Sequence, residues 1–168
     1  MKTTSASFQS RLLTLVLRLM RLKQSLPWAG SEAKAARAKP SQALYKKLQI
    51  SARGWHGKNL WTIAPKSEPS PKHVLFLHGG SYVQSFDPIH WQFMFSLIGR
   101  LQVTVIAPDY PLAPEHTASE ILPMVVSLYQ ELSAEVGAQN ITLMGDSAGG
   151  GMCLALAQQL REHNLGQP

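Results

Sequence analysis

From Gln49 onward, short unbroken apolar runs alternate with longer stretches whose apolar residues recur every three or four positions. Runs of the first kind, bounded by glycine or proline, read as strands buried on both faces, and the longer stretches read as amphipathic helices. Gln49 to Trp55 and Asn59 to Ala64 are β-capable and separated by Gly54 and His56-Gly57, which predicts an antiparallel pair with a tight connection. Pro65 to Lys72 is a loop with three prolines. His73 to Leu77 is a buried strand feeding the turn His78-Gly79-Gly80, Ile89 to Leu101 a helix, and Val103 to Ala107 the next buried strand, closed by Pro108. Glu120 to Val136 carries Leu122, Val125, Leu128, Tyr129 and Leu132 on one face and stops at Gly137. Asn140 to Met144 is a further strand, and an apolar-rich helical pattern follows it from Gly150 to Arg161. Alternating strands and helices after an antiparallel start predict an α/β fold with a mostly parallel sheet.

The N-terminal third has a different texture. Between Phe8 and Leu26 a wide apolar face of leucines opposes a narrow one bearing Arg11, Arg18 and Arg21, the pattern of an amphipathic helix. Its longest uncharged apolar run, Leu12 to Leu17, is far shorter than the roughly 20 residues that span a bilayer. A secretory signal lacks a convincing cleavage site, while the acid-free first 31 residues also fit a mitochondrial transit peptide. A lid helix packed on its own domain is favoured over one making weak contact with a membrane surface. Ser31 to Lys39 favours helix, Pro40 ends it, and Ser41 to Leu48 can form another turn or two. The expected organisation is a basic helical segment over residues 1–48, part of a cap, followed by a sheet domain over 49–168.

Charge follows the same division. Residues 1–72 hold 14 Lys and Arg against Glu32 and Glu68, a net +12, whereas residues 73–168 hold Arg100 and Arg161 against eight acids, a net −6. No nucleic-acid-binding motif accompanies the basic third, so nucleic acid is rejected as a partner. The apolar fraction of 45% with 15% charged residues excludes disorder. A lone cysteine, Cys153, excludes an internal disulfide and a thiolate zinc site, and fits a reducing, cytoplasmic setting. No metal or cofactor is implied.

The chemistry concentrates at Ile141 to Gly150, where an apolar run ends in a Gly-x-Ser-x-Gly pentad centred on Ser147. Gly145 and Gly149 lack side chains where a tight strand-to-helix turn would crowd Cβ atoms, so one hydroxyl can project above the sheet edge. A serine nucleophile needs a base, together with donors for the oxyanion formed when a carbonyl is attacked. Backbone amides at Gly79, at Gly80 and at Ala148, the last at a helix N-terminus, are candidates for those donors.

Three motifs in order, His78-Gly79-Gly80-Ser81-Tyr82, Asp109-Tyr110-Pro111-Leu112-Ala113-Pro114-Glu115-His116 and Gly145-Asp146-Ser147-Ala148-Gly149-Gly150, resemble the hormone-sensitive-lipase-like branch of the α/β-hydrolases. The resemblance covers Gln49 to the C-terminus, and the basic helices resemble the N-terminal part of that family's cap. It implies a serine carboxylesterase acting on small ester substrates through an acyl-enzyme, with Ser147 as nucleophile. It also implies an oxyanion hole from the amides of Gly79, Gly80, Ser81 and Ala148, supported by His78, Gly145, Asp146 and Gly149. Ser81 stands where the family has a third glycine.

The base is the exception. In this fold the triad runs Ser, Asp or Glu, then His, and only 21 residues follow Ser147. Among them Glu162 and His163 fall about 20 Å along the following helix at its 1.5 Å rise per residue, out of reach of Ser147. His56, His73, His90 and His116 read as structural. A chymotrypsin-like arrangement would require a β-barrel, which the parallel pattern contradicts. The expectation is therefore a hydrolase fold incomplete after the helix that follows Ser147, inactive as this chain, with a sheet edge exposed to self-association. The rival expectation is a non-catalytic ligand-binding relative or a non-functional fragment.

Overall fold

The computed structural model describes residues 39–168. The expected amphipathic helix between Phe8 and Leu26, and nearly all of the Ser31 to Lys39 stretch, lie outside them. A short helix, α1 (Gln42–Lys47), leads directly into β1 (Leu48–Trp55). β1 pairs antiparallel with β2 (Lys58–Pro65), with Trp55 opposite Lys58. The two intervening residues, His56 and Gly57, both have positive φ, +45° and +71°. Such a turn twists with the strands it joins, which explains the tight connection.

Three mutually parallel strands follow: β3 (His73–Leu77), β4 (Thr104–Pro108) and β5 (Ile141–Gly145). The sheet order is β1-β2-β4-β3-β5, and β2 meets β4 antiparallel. Four strands therefore run one way and β2 opposes them, the mostly parallel sheet that the alternating pattern implies. β4 begins one residue later than the apolar run. Gln102, in the left-handed conformation at φ +54°, ends the preceding helix and holds Val103 outside the ladder.

Three helices cover the sheet. α2 (Pro88–Leu101) starts at Asp87, whose carboxylate accepts from the amides of Ile89 and His90. α3 (Ala118–Val136) starts two residues before the expected Glu120, because Thr117 and Glu120 form a reciprocal capping box. α4 (Ala148–Glu162) begins immediately after Ser147.

Side-chain alternation along β3 sorts the core into two layers. Val74 and Phe76 point to α2, joining Trp61, Val105, Trp91, Met94 and Ile98, while Leu44 of α1 packs at the margin. Leu75 and Leu77 point to the opposite face, where Val125 and Tyr129 of α3 and Leu156 and Leu160 of α4 meet them. Leu75, Leu77, Leu156 and Leu160 are fully buried, each side chain stabilising the fold by roughly 1.5–3 kcal/mol relative to exposure. The Tyr129 hydroxyl donates to the Gly166 carbonyl at 2.8 Å and ties the C-terminal residues back onto α3.

β5 pairs with β3 along one edge, and among the described residues its other edge pairs with no strand. Leu143 and Met144 are half-buried there. Among the described residues no helix is long and apolar enough to cross a membrane.

Candidate active site

Ser147 occupies the joint between β5 and α4 with φ 47° and ψ −117°, a conformation costly for a residue with a side chain. Close packing beneath it holds that geometry. A methyl on Gly149 would collide with the carbonyl of Leu77, and one on Gly145 would lie 2.6 Å from the same oxygen and from the Gly149 carbonyl carbon. Only glycine at both places lets α4 descend immediately beside β3, leaving Ser147 at the apex as the sequence predicts.

The loop after β3 rises next to this apex. Gly80, Ser81 and Tyr82 all have positive φ, +116°, +55° and +62°, and the Gly80 carbonyl accepts from the amides of Val83 and Gln84. The left-handed conformation at Ser81 and Tyr82 is one that residues with side chains adopt sparingly, so the surrounding contacts must impose it. Two such contacts are evident. The Tyr82 carbonyl accepts from Ala113, and the Gly79 amide donates to Asp146 Oδ1 at 2.8 Å. The second bond joins the loop to the elbow, bringing together two motifs separated by 67 residues in the chain.

The Gly79 amide, expected to face the oxyanion, is engaged by the carboxylate. Among the described residues no acceptor takes the amides of Gly80, Ser81 or Ala148, and Ala148 opens α4, where amides are free of helical partners.

His78 is fully buried, with Nδ1 2.7 Å from the Gly79 carbonyl and its ring stacked on Tyr110 at 4.2 Å. Burial lowers its pKa below the ordinary histidine value, outweighing the Gly79 carbonyl and Asp109, which pull the other way. A neutral, enclosed ring suits support of the loop. Asp109 accepts from the Ser85 hydroxyl at 2.6 Å, and Tyr110 donates to the His78 carbonyl. The Asp109-Tyr110 pair thus supports the loop after β3 at Ser85 and His78, a role that the sequence showed only as a motif without a task.

The other candidate bases are distant or occupied. His163 caps the far end of α4, and Glu162 is engaged by Gln158 and Gln159. His116 lies half-exposed, 4.0 Å from Glu120. His90 is held between Asp87 and Asp146. Among the described residues no histidine or carboxylate is bonded to the Ser147 hydroxyl. Cys153, half-buried in α4, has its thiol pKa pushed up to about 11 by burial, which makes it a poor nucleophile at neutral pH.

A largely apolar cavity of about 410 Å³ opens beside the loop, lined by Tyr82, Pro114, Ile121, Leu122, Met152 and Ala155. Gly151, also in its wall, donates its amide to the Ser147 carbonyl, so the cavity starts one helical turn from the serine. A second, of about 300 Å³, lies between α2 and the free edge of β5, against Ile89, Phe93 and Met144.

Comparison with known proteins agrees with this arrangement. The sequence profile of the alpha/beta hydrolase fold family matches residues 74–168. An esterase of Acinetobacter venetianus is 34% identical over 99 residues, which are 58% of this chain and 33% of that protein. The carboxylesterase/phospholipase LipF of Mycobacterium tuberculosis is 39% identical over 89 residues, 52% of this chain and 24% of its own. The structure of a hormone-sensitive lipase from a metagenome library superposes with a TM-score of 0.68 at 26% identity, covering 92% of this chain and 53% of that one. The chain thus spans about half the length of such solved relatives. With a profile match over more than half of its residues, the chain belongs to the alpha/beta hydrolase fold family.

Proposed function

We propose that these residues supply the nucleophile and oxyanion hole of a serine carboxylesterase that acts on small carboxylic esters. The observation that carries the reading is the strained backbone of Ser147, φ 47° and ψ −117°, held beside a loop with unengaged amides. In the reaction the Ser147 oxygen bonds to the acyl carbon, and the amides of Gly80, Ser81 and Ala148 stabilise the negative charge that develops on the carbonyl oxygen. Collapse of that intermediate expels the alcohol, which takes up the proton removed from the serine, and leaves an acyl-enzyme that water cleaves to the carboxylic acid, restoring the Ser147 hydroxyl. A base must take the serine proton, and no described residue of this chain is placed to do so. The 168 residues by themselves therefore turn over esters slowly or not at all.

Two features of the wider setting belong to the same reading. The lone, half-buried cysteine accords with a cytoplasmic location, and the basic N-terminal segment with weak contact at a membrane surface. Hydrolysis of a p-nitrophenyl ester and labelling by a fluorophosphonate, each compared with Ser147→Ala, test the function. Weak labelling lost in the variant supports a nucleophile awaiting its base. Rapid turnover lost in the variant would overturn the inactivity of the isolated chain. Complete absence of labelling favours the second reading, a non-catalytic ligand-binding relative or non-functional fragment, for which the 410 Å³ apolar cavity is the specific observation.

A further inference from the structure

The sequence reads His90 as the start of a helix, and the structure gives it more to do. It lies in the first turn of α2, its residue only 7% exposed, with its ring tilted against Phe76 and His78 and edge-on to Phe86. The Asp87 amide donates to His90 Nδ1 at 2.9 Å. A ring nitrogen that accepts a hydrogen bond carries no proton, so in the neutral ring the proton sits on Nε2. Nε2 faces Asp146 Oδ1 at 3.3 Å, and that same oxygen accepts the Gly79 amide at 2.8 Å.

A chain of contacts therefore runs from the N-terminal cap of α2 through the imidazole and the Asp146 carboxylate to the oxyanion loop. Asp146 immediately precedes Ser147, so the carboxylate is anchored on the elbow itself. The fit at its far end is tight, since a methyl on Gly79 would collide with Asp146 Oδ2. About half of the Asp146 side chain remains open to solvent, so without a second partner it could swing away from the loop.

We propose that His90 is a positioning residue: in its Nε2–H tautomer, selected by the cap of α2, it holds Asp146 against Gly79 and so sets the Gly80 and Ser81 amides relative to Ser147. The catalytic meaning of this clasp rests on the esterase reading above, but the clasp itself can be observed without turnover.

The tautomer and the protection of the loop amides test it in the 168-residue chain labelled with ¹⁵N. Long-range proton–nitrogen correlations of the imidazole are expected to show that the neutral ring of His90 carries its proton on Nε2. A proton on Nδ1, or averaging between both nitrogens, overturns the proposal. Two variants separate positioning from plain packing. His90→Asn keeps an acceptor near the Asp87 amide but loses the reach to Asp146, and His90→Gln offers an N–H near the position of Nε2.

Hydrogen exchange at Gly79 is expected to quicken by about tenfold in His90→Asn, the factor corresponding to about 1.4 kcal/mol, one hydrogen bond. Exchange at Leu75 in β3 and Ile98 in α2 should stay unchanged, and His90→Gln should recover most of the protection at Gly79. Unchanged exchange at Gly79, or faster exchange throughout the sheet that His90→Gln does not restore, overturns it. Should His90→Asn fail to fold, the tautomer of the unaltered chain decides. A chain that shows the clasp and yet binds no ester-directed probe counts against the esterase reading and leaves the positioning intact.

Discussion

Tyr110 and His78 are joined twice: their rings stack 4.2 Å apart and nearly parallel, at 6°, and the tyrosine hydroxyl donates to the histidine's own carbonyl. Both residues are fully buried, so water cannot replace either contact. Tyr110→Phe keeps the stacking and strands a buried carbonyl, which costs about 1–3 kcal/mol. The expected outcome is a urea midpoint lowered by that amount at unchanged slope.

Gly149→Ala should be more damaging. Its methyl would meet the Leu77 carbonyl and lie 2.7 Å from the His78 carbonyl, both backbone atoms of β3 and its turn, so no side chain can yield. The variant should lose about 3 kcal/mol or fail to fold, since overpacking typically costs about 1–3 kcal/mol and backbone atoms give way less readily than side chains. Its yield of soluble protein and its near-ultraviolet circular dichroism report the result.

Leu156→Ala probes the α4 face of the core without touching the elbow. The side chain is fully buried between α4 and the sheet, and its removal leaves a cavity as well as losing transfer energy, together about 2–5 kcal/mol. Equilibrium unfolding gives the value directly.

Alkaline pH should weaken the fold. The Cys153 thiol ionises near 9.0 ordinarily but at about 11 when folded, and burial also raises the Tyr110 phenol above its ordinary 10.0. Both are acids whose neutral form is retained in the folded state, so the unfolded chain binds fewer protons once pH passes 9. Stability from Cys153 is thus fully present below pH 9, falls as pH rises, and stops falling beyond about 11. Urea midpoints followed from neutral to alkaline pH should decline over that window, with a shallower decline in Cys153→Ala. At neutral pH the thiol should react slowly with a disulfide reagent.

The edge of β5 that pairs with no strand among the described residues predicts self-association. An unpaired strand edge flanked by half-buried Leu143 and Met144 is a template for another chain. Sedimentation velocity should show species that grow with concentration, and Thr142→Lys, at an exposed position on that strand, should reduce them. A monodisperse monomer at all concentrations would contradict the expectation.

Much of the fold was legible because its signals are local. Four consecutive apolar residues at Val74 to Leu77 admit little besides a buried strand, and the Gly-x-Ser-x-Gly pentad carries its own steric logic. Helix starts were misjudged where polar capping mattered more than apolar spacing. Thr117 followed three residues later by Glu120 is a capping signature in plain view, and it sets the start of α3 at Ala118. The engagement of Gly79 by Asp146 was not legible. No local pattern announces a bond between residues 67 positions apart, and the Gly79 amide was expected to face the oxyanion instead. His90 was hidden for a related reason, since its cap contact is local but its contact with Asp146 is set by how α2 lies across the sheet.

The strand order carries a consequence for how the molecule is made. β3 lies between β4 and β5, and its pairing with β5 aligns His73 with Ile141. During synthesis the β1–β2 hairpin can close at once and β3 can pair when β4 emerges, but the elbow has no floor until β5 arrives and docks on β3. Closing that long loop is the slow kind of step in folding, because its entropy is lost before its contacts form. The nascent chain thus exposes the apolar flank of β3 for longer than any local element would require, and Ser147 acquires its strained backbone only when that flank is covered.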